Sequence, residues 1–365
     1  MKKIVSWLKG EAVLCVAALC ALGTMFLVPP DRVYVDYIDF RVLGLLFALM
    51  TVVEGFKLCG VFRVLTAAML RLCRSGRALG VLLVALPFFS AMLVTNDVAL
   101  LVFVPFTLGL LGELGLRRTA APLLVLQTMA ANLGSMATPV GNPQNLYLYA
   151  AYELSAADFF AVVLPLTALS LGLLAIPALF VLPAALPALP RRDAALTGGR
   201  RLALYALLFL LCLLSVFRLL HWGILAALVA AAAFFTDREL LRRADYALLL
   251  TFVCFFVVSG NLGRVETVRA LVQGLLDRNA LLTAVLASQL ISNVPAAVLL
   301  SAFTENWRAL LAGVNIGGLG TPIASLASLI TLKLYLKSEG AQPGRFLGLF
   351  TAANVLFLVI LLLFA

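Results

Sequence analysis

The sequence predicts an all-α, polytopic membrane protein made of two inverted repeats, each with a re-entrant helical hairpin and a discontinuous helix. Three observations predict it. First, of 365 residues 64% are hydrophobic and only 12% charged, about half the ~25% charge that a water-facing surface normally carries. Second, apolar runs of membrane-spanning length follow one another along the chain, and at roughly 20 residues per crossing there is room for about ten. Third, polar motifs that interrupt those runs occur twice, in the same order. Such hydrophobicity excludes a disordered chain, and a soluble domain would leave the apolar runs without a water-facing side.

The runs are 11–28, 41–57, 79–112, 119–152, 159–182, 201–218, 222–236, 246–262, 280–303, 307–336 and 345–365. The first follows Lys2, Lys3 and Lys9 but lacks a small-residue cleavage site, so it reads as a retained helix. Residues 61–72, with Arg63 and Arg71, read as an amphipathic helix at the membrane surface. Run 79–112 is too long for one crossing and is interrupted by Thr95, Asn96 and Asp97. In hydrocarbon that triplet would cost several kcal/mol unless it faced protein or a water-filled cavity. Two half-helices meeting at a polar tip resolve the problem. Run 280–303, with Ser292, Asn293 and Pro295 at its middle, reads as a second hairpin. Run 119–152 is broken by Asn132, Gly134, Thr138, Pro139, Gly141, Asn142, Pro143 and Asn145, and run 307–336 by Asn315, Gly317, Gly318, Gly320, Thr321 and Pro322. Glycine and proline in such clusters unwind a helix.

Charge orients these elements. With the N-terminus cytoplasmic and both hairpins entering and leaving on one side, 19 of the 27 Lys and Arg residues fall on inner loops and seven on outer ones, the bias of the positive-inside rule. The net charge of +10 is therefore topological, and no nucleic-acid partner is expected. The six cysteines show no CxxC spacing and read as free thiols. His221, the single histidine, sits beside Trp222 at a helix end and reads as an interfacial side chain.

Comparison of the halves carries most information. Asn132-Leu133-Gly134-Ser135-Met136-Ala137-Thr138-Pro139 matches Asn315-Ile316-Gly317-Gly318-Leu319-Gly320-Thr321-Pro322 at an offset of 183, which sets Asn142 and Asn145 opposite Ser325 and Ser328. Thr95-Asn96 matches Ser292-Asn293 at an offset of 197, and Val52-Val53-Glu54-Gly55 resembles Val257-Val258-Ser259-Gly260. The expected organisation is a first repeat over 1–182, a cytoplasmic Pro/Gly linker over 183–200 and a second repeat over 201–365. The charge-derived topology brings the hairpins in from opposite sides, so the repeats are inverted. Discontinuous helices meeting near the midplane are typical of secondary transporters.

The chemistry of the repeated residues fits a small charged ligand. Half-helix N-termini present free amides and a partial positive charge to an anion, whereas exposed carbonyls and hydroxyls suit a hard cation. Asn96 and Asn293 can serve either, because a carboxamide donates and accepts. Thr95, Thr138, Ser292, Thr321 and Ser325 add hydroxyls, and Gly134, Gly141, Gly317 and Gly318 allow close backbone approach. Asp97 stands apart as an intramembrane carboxylate whose counterpart is Val294. Such a group is costly and functional as a rule; it either binds a cation or proton, or caps the half-helix that follows it. Glu54 and Lys57, three residues apart on one helix face, are expected to pair.

Thr95-Asn96-Asp97, the stretch from Ala131 to Asn145, Ser292-Asn293-Val294-Pro295 and the stretch from Gly313 to Pro322 resemble the ion transporter superfamily, specifically its citrate-transporter-like and arsenite/sodium-proton antiporter-like permeases. The resemblance covers the chain from about Val42 onward, as a short member whose first half lacks a counterpart of run 201–218. It implies an elevator-type carrier of small anions or ions, a homodimer, in a bacterial inner membrane. In the dicarboxylate branch paired Ser-Asn-Thr tips contact the substrate carboxylate and help form two sodium sites; here only the Asn and one hydroxyl of each tip are retained. The resulting expectation is a secondary transporter of a small carboxylate or inorganic oxyanion coupled to Na+ or H+, with any Na+ near Asn96, Asp97, Thr138, Asn293 and Thr321. The alternatives are a cation/proton antiporter using Asp97 and a gated ion channel. No organic cofactor is expected, and no HExxH, nucleophile–histidine pair or GxxxxGK[ST] loop points to an enzyme or an ATP-driven pump.

Overall fold

The computed structural model describes residues 12–71, 73, 75–185 and 195–365. The expectations for Lys2, Lys3, Lys9, Arg74, Arg191, Arg192 and the middle half of the linker, 186–194, concern residues outside this set. The described residues form α-helices with two short 3-10 turns and no strand. The first half comprises α1 (Ala12–Met25), α2 (Phe40–Leu58), α3 (Val61–Leu70), α4 (Gly76–Val94), α5 (Asn96–Glu113), α6 (Ala120–Ser135), α7 (Pro143–Ala151) and α8 (Ala156–Phe180). The second comprises α9 (Gly199–Val216), α10 (Trp222–Thr236), α11 (Arg238–Arg243), α12 (Tyr246–Gly263), α13 (Glu266–Ile291), α14 (Asn293–Ser301), α15 (Trp307–Ile316), α16 (Leu326–Leu336) and α17 (Pro343–Leu362).

Seven of these helices, α4, α5, α8, α9, α12, α13 and α17, are long and apolar enough to cross a bilayer. Their outward faces carry large apolar side chains such as Phe180 (69% exposed) and Leu290 (79% exposed), a surface that is stable only against hydrocarbon. The chain turns at both predicted tips, with one residue between the flanking helices; the helices flanking the first tip, of 19 and 18 residues, are each long enough to cross a bilayer rather than half-helices. Those residues, Thr95 (φ 74°) and Ser292 (φ 73°), share one left-handed backbone conformation that is costly for a side-chain-bearing residue. The limb before the second tip begins at a kink. Asn279 (φ −163°) interrupts α13, and its side chain accepts the Leu282 N–H at 2.9 Å, restarting the helix toward the tip. Both discontinuous helices break where glycine and proline cluster, between α6 and α7 and between α15 and α16.

Ion pairs link helix ends: Arg117 pairs with Glu339, Arg201 with Asp237, Arg264 with Asp31 and Arg308 with Asp158. Every one of these pairs joins loops that the charge-derived topology puts on the same side. His221 caps α10, its Nδ1 accepting the Gly223 N–H at 3.1 Å, and stacks on Trp222. Lys57 pairs with Glu54, and Cys20, Cys59, Cys212 and Cys254 are free thiols.

Two apolar cores hold the helices together. One centres on α4, α5 and α6 with α8 and α17 against them, and includes Phe88, Phe103, Leu124, Met129 and Phe350. The other gathers α2, α7, α9, α10, α14 and α15 around Leu49, Tyr147, Tyr205, Phe252 and Leu310. The discontinuous helices bridge the two cores: Leu133 before the first break belongs to the first core and Leu146 after it to the second, while α15 contributes Leu310 and Val314 to the second core and Ala312 and Ile316 to the first, which Leu319 continues. The polar residues of the breaks therefore meet at the seam between the cores.

Candidate functional site

At that seam a chain of carboxamides and hydroxyls is closed off from solvent. Asn132, the thirteenth residue of α6, is 5% exposed. Its Oδ1 accepts from Asn96 Nδ2 and from Ser325 Oγ, both at 3.0 Å. Its Nδ2 makes long contacts to Ser328 Oγ at 3.4 Å and the Gly318 carbonyl at 3.5 Å. Asn315 mirrors it in α15. Its Oδ1 accepts from Asn142 Nδ2 at 3.2 Å, and its Nδ2 donates to Asn145 Oδ1 at 2.7 Å and to the Leu311 carbonyl at 2.8 Å. The pairing is reciprocal: Asn132 bonds Ser325 and Ser328, whose counterparts Asn142 and Asn145 bond Asn315. Each asparagine thus reaches into the other half of the chain.

The tips dock in matching ways. The Asn96 N–H donates to the Gly141 carbonyl at 3.2 Å and the Asn293 N–H to the Ala324 carbonyl at 2.9 Å; 141 and 324 differ by the same 183. Thr138 Oγ1 donates to the Met92 carbonyl, and Thr321 Oγ1 to the Gln289 carbonyl at 3.4 Å. Gly134 lies against α4 so closely that a Cβ there would overlap the Phe88 carbonyl. Ser292 Oγ contacts the Ala324 carbonyl at 3.3 Å, and Pro139 is buried in its loop. Pro295 is the third residue of α14, where a missing N–H costs nothing.

The tips differ in what they leave free. Asn96 is committed at both ends, since its Nδ2 bonds Asn132 and its Oδ1 accepts the Asp97 N–H at 3.0 Å. The Asn293 side chain, 4% exposed, makes no hydrogen bond among the described residues; it lies against Gly318, whose missing Cβ leaves it room. The Asp97 carboxylate, half-buried in the first turn of α5, also has no hydrogen-bond or ion-pair partner there. Thr95 holds the N-cap position of α5, so the carboxylate is not a cap.

Sequence reasoning missed Gln289, near the end of α13. Its Nε2 donates to the carbonyls of Gly317 at 2.8 Å and Leu319 at 2.9 Å, and its Oε1 accepts the Thr321 N–H at 2.9 Å. In the first loop Asn145 Nδ2 bridges the carbonyls of Met136 at 3.1 Å and Thr138 at 3.2 Å. Carbonyls that would suit a hard cation are thus already engaged by amides. The signal for Gln289 was available: it is an amide three residues before the Ser292 tip, opposite Met92 at the offset of 197. Gln127 was missed as well; buried in α6, its Nε2 ties α4 to α5 through the Leu83 carbonyl (2.7 Å) and Thr107 Oγ1 (2.8 Å).

Two cavities open elsewhere. One of about 500 Å³ is lined by Glu113, Arg117, Tyr335 and Glu339, and one of about 410 Å³ by Pro165, Asn306, Arg308 and Ala312. No member of the asparagine cluster lines either.

The chain is similar to known membrane proteins. The family described as citrate transporter matches residues 4–307. An uncharacterized transporter of Methanocaldococcus jannaschii is 33% identical over 303 residues, covering 81% of each chain. The inner membrane protein YbiR of Escherichia coli is 31% identical over 342 residues, 90% of this chain and 88% of its own. The silicon efflux transporter LSI3 of Oryza sativa is 36% identical over 136 residues, 37% of this chain and 28% of its own.

Proposed function

Since the chain belongs to the citrate transporter family, and is thereby a membrane transporter, we propose that it is a secondary carrier of a small carboxylate or inorganic oxyanion, coupled to Na+ or H+. The observation that carries this reading is the pairing of two groups left free beside a saturated network. Asn293 has an unengaged carboxamide at the tip of α14, and Asp97 an unengaged carboxylate at the tip of α5. The carboxamide, with the positive end of α14 behind it, suits an anion. The carboxylate suits the coupling cation or proton. Reciprocal bonding across the halves supports two inverted repeats over 1–182 and 201–365 joined by the 183–200 linker. An elevator movement of a domain built from the hairpins and broken helices, which the family resemblance implies, is part of the same reading. Membership of a homodimer, a cytoplasmic N-terminus and residence in a bacterial inner membrane belong to the same proposal.

Purified protein in proteoliposomes tests it. Because the family's description names citrate and one relative's name silicon efflux, citrate and silicic acid lead the panel of candidate substrates. Saturable accumulation driven by an imposed Na+ or proton gradient is expected, and Asn293→Ala should abolish it. Flux that merely follows the substrate's own gradient without saturating would indicate a channel, and near-normal uptake by Asn293→Ala would remove the assignment of the anion to that tip. The free Asp97 carboxylate favours a second reading, a cation/proton antiporter, which predicts exchange of cation for proton with no anion present.

A further inference from the structure

Each unwound loop holds a carboxamide engaged at both ends. Gln289 donates through Nε2 to the carbonyls of Gly317 and Leu319, with Val285 a third at 3.3 Å, and accepts the Thr321 N–H on Oε1. Asn145 donates through Nδ2 to the carbonyls of Met136 and Thr138 and accepts from Asn315 on Oδ1. A primary amide nitrogen that bridges two or three carbonyls does what a hard cation does in such a loop: it places positive charge among converging oxygens. A metal ion taking those carbonyls would have to expel the amide; at Asn145, which is 0% exposed, the expelled amide would be left unpartnered away from water, which is unfavourable.

The two loops reach this arrangement from positions that are not equivalent. The counterpart of Asn145 is Ser328, and the counterpart of Gln289 is Met92. Duplication of an ancestral half would have copied one brace into both halves. Two different braces, each setting an amide nitrogen on at least two carbonyls of its loop, indicate a requirement imposed on each loop separately.

We infer that Asn145 and Gln289 are specificity-determining residues whose amide nitrogens fill the cation positions of the two loops, so that neither loop takes a metal ion and cation coupling falls to Asp97 alone. This rests on the carrier reading for its meaning, but it is a statement about binding and can be tested without transport. It revises the expectation of Na+ near Thr138 and Thr321.

Replacing either amide by the isosteric acid keeps the acceptor, removes the donor, and aims negative charge at the loop carbonyls. Only a cation then restores the balance. The test compares melting temperatures of detergent-purified protein in NaCl and in choline chloride at equal ionic strength and pH, in an Asp97→Asn background that removes the other cation ligand. Asp97→Asn alone should melt at the same temperature in both salts. Asp97→Asn with Gln289→Glu, and with Asn145→Asp, should melt lower in choline and recover by about 2–4 °C with saturation in Na+. Gln289→Met, which lacks donor and acceptor, should melt lower in both salts without recovery, separating a cation effect from a lost brace. A saturable Na+ shift in Asp97→Asn alone overturns the inference, and so does failure of both folded acid variants to recover. If neither acid variant folds, radioactive Na+ binding to Asp97→Asn decides, with saturable binding refuting and its absence supporting the assignment. Loss of substrate transport with these results intact would count against the carrier reading only.

Discussion

Replacing Asn132 by alanine removes one acceptor oxygen from two buried donors, Asn96 Nδ2 and Ser325 Oγ, each 3.0 Å away. A buried donor stripped of its partner costs about 1–3 kcal/mol, so Asn132→Ala should destabilise the protein by about 2–4 kcal/mol once partial relaxation is allowed. Ser325→Ala removes one donor and leaves Asn132 still bonded to Asn96, for about 0.5–1.5 kcal/mol. The informative quantity is their coupling in a double-mutant cycle. Hydrogen bonds between helices in membranes average about 0.6 kcal/mol and reach about 1.7. A 3.0 Å bond between two nearly inaccessible groups belongs to the upper part of that range, about 1 kcal/mol. Ser328, at 3.4 Å from Asn132 Nδ2, should couple by less than about 0.5 kcal/mol. Equilibrium unfolding in mixed micelles measures all four corners of each cycle. If Asn132 and Ser325 proved additive, the bond across the halves would not exist in the folded protein, and the reciprocal arrangement would lose its support.

Four further outcomes follow from the same geometry. Asn293→Ala, which breaks no hydrogen bond, should leave stability within about 1 kcal/mol of the parent while abolishing uptake; a large loss of stability would show the side chain to be structural. Asp97→Asn should remove or alter the Na+ and pH dependence of uptake, and an unchanged profile in both would remove its coupling role. Gly134→Ala drives a Cβ into the Phe88 carbonyl and should cost about 1–3 kcal/mol or more, read as a lower melting temperature, whereas Gly109→Ala, with open space around it, should not destabilise. Single cysteines at 117 and 339 should label from one face of the membrane and those at 158 and 308 from the other; labelling of all four from one face would refute the topology.

Much of the architecture was legible because lipid is an unforgiving solvent. A backbone in hydrocarbon must satisfy its own hydrogen bonds, so run length and apolar content marked the helices, and each polar interruption marked a tip or a break. Thr95 and Ser292 fell where the hairpins turn, and the clusters after Asn132 and Asn315 where the helices unwind. Arg117 with Glu339 and Arg308 with Asp158 join loops that the charge distribution assigned to a common side. The role of Asp97 was not legible, because a carboxylate in a first helical turn can cap or stay free, and only the position of Thr95 at the N-cap separates the two.

By itself, the sequence determined that the protein lives in a membrane, where its helices break, and which residues of one half correspond to which of the other, since these depend on local composition and chain spacing. The tertiary structure alone decided who touches whom. Correspondence is not contact: Asn132 corresponds to Asn315 yet bonds Ser325 and Ser328, because the discontinuous helices cross between the two cores and present each asparagine to the opposite loop. The same crossing engages Asn96 and leaves Asn293 free, and it brings Gln289 under a loop some thirty residues further along the chain. Hydrogen bonding between helices depends on distances of a few tenths of an ångström set by packing, and no spacing along the chain encodes that.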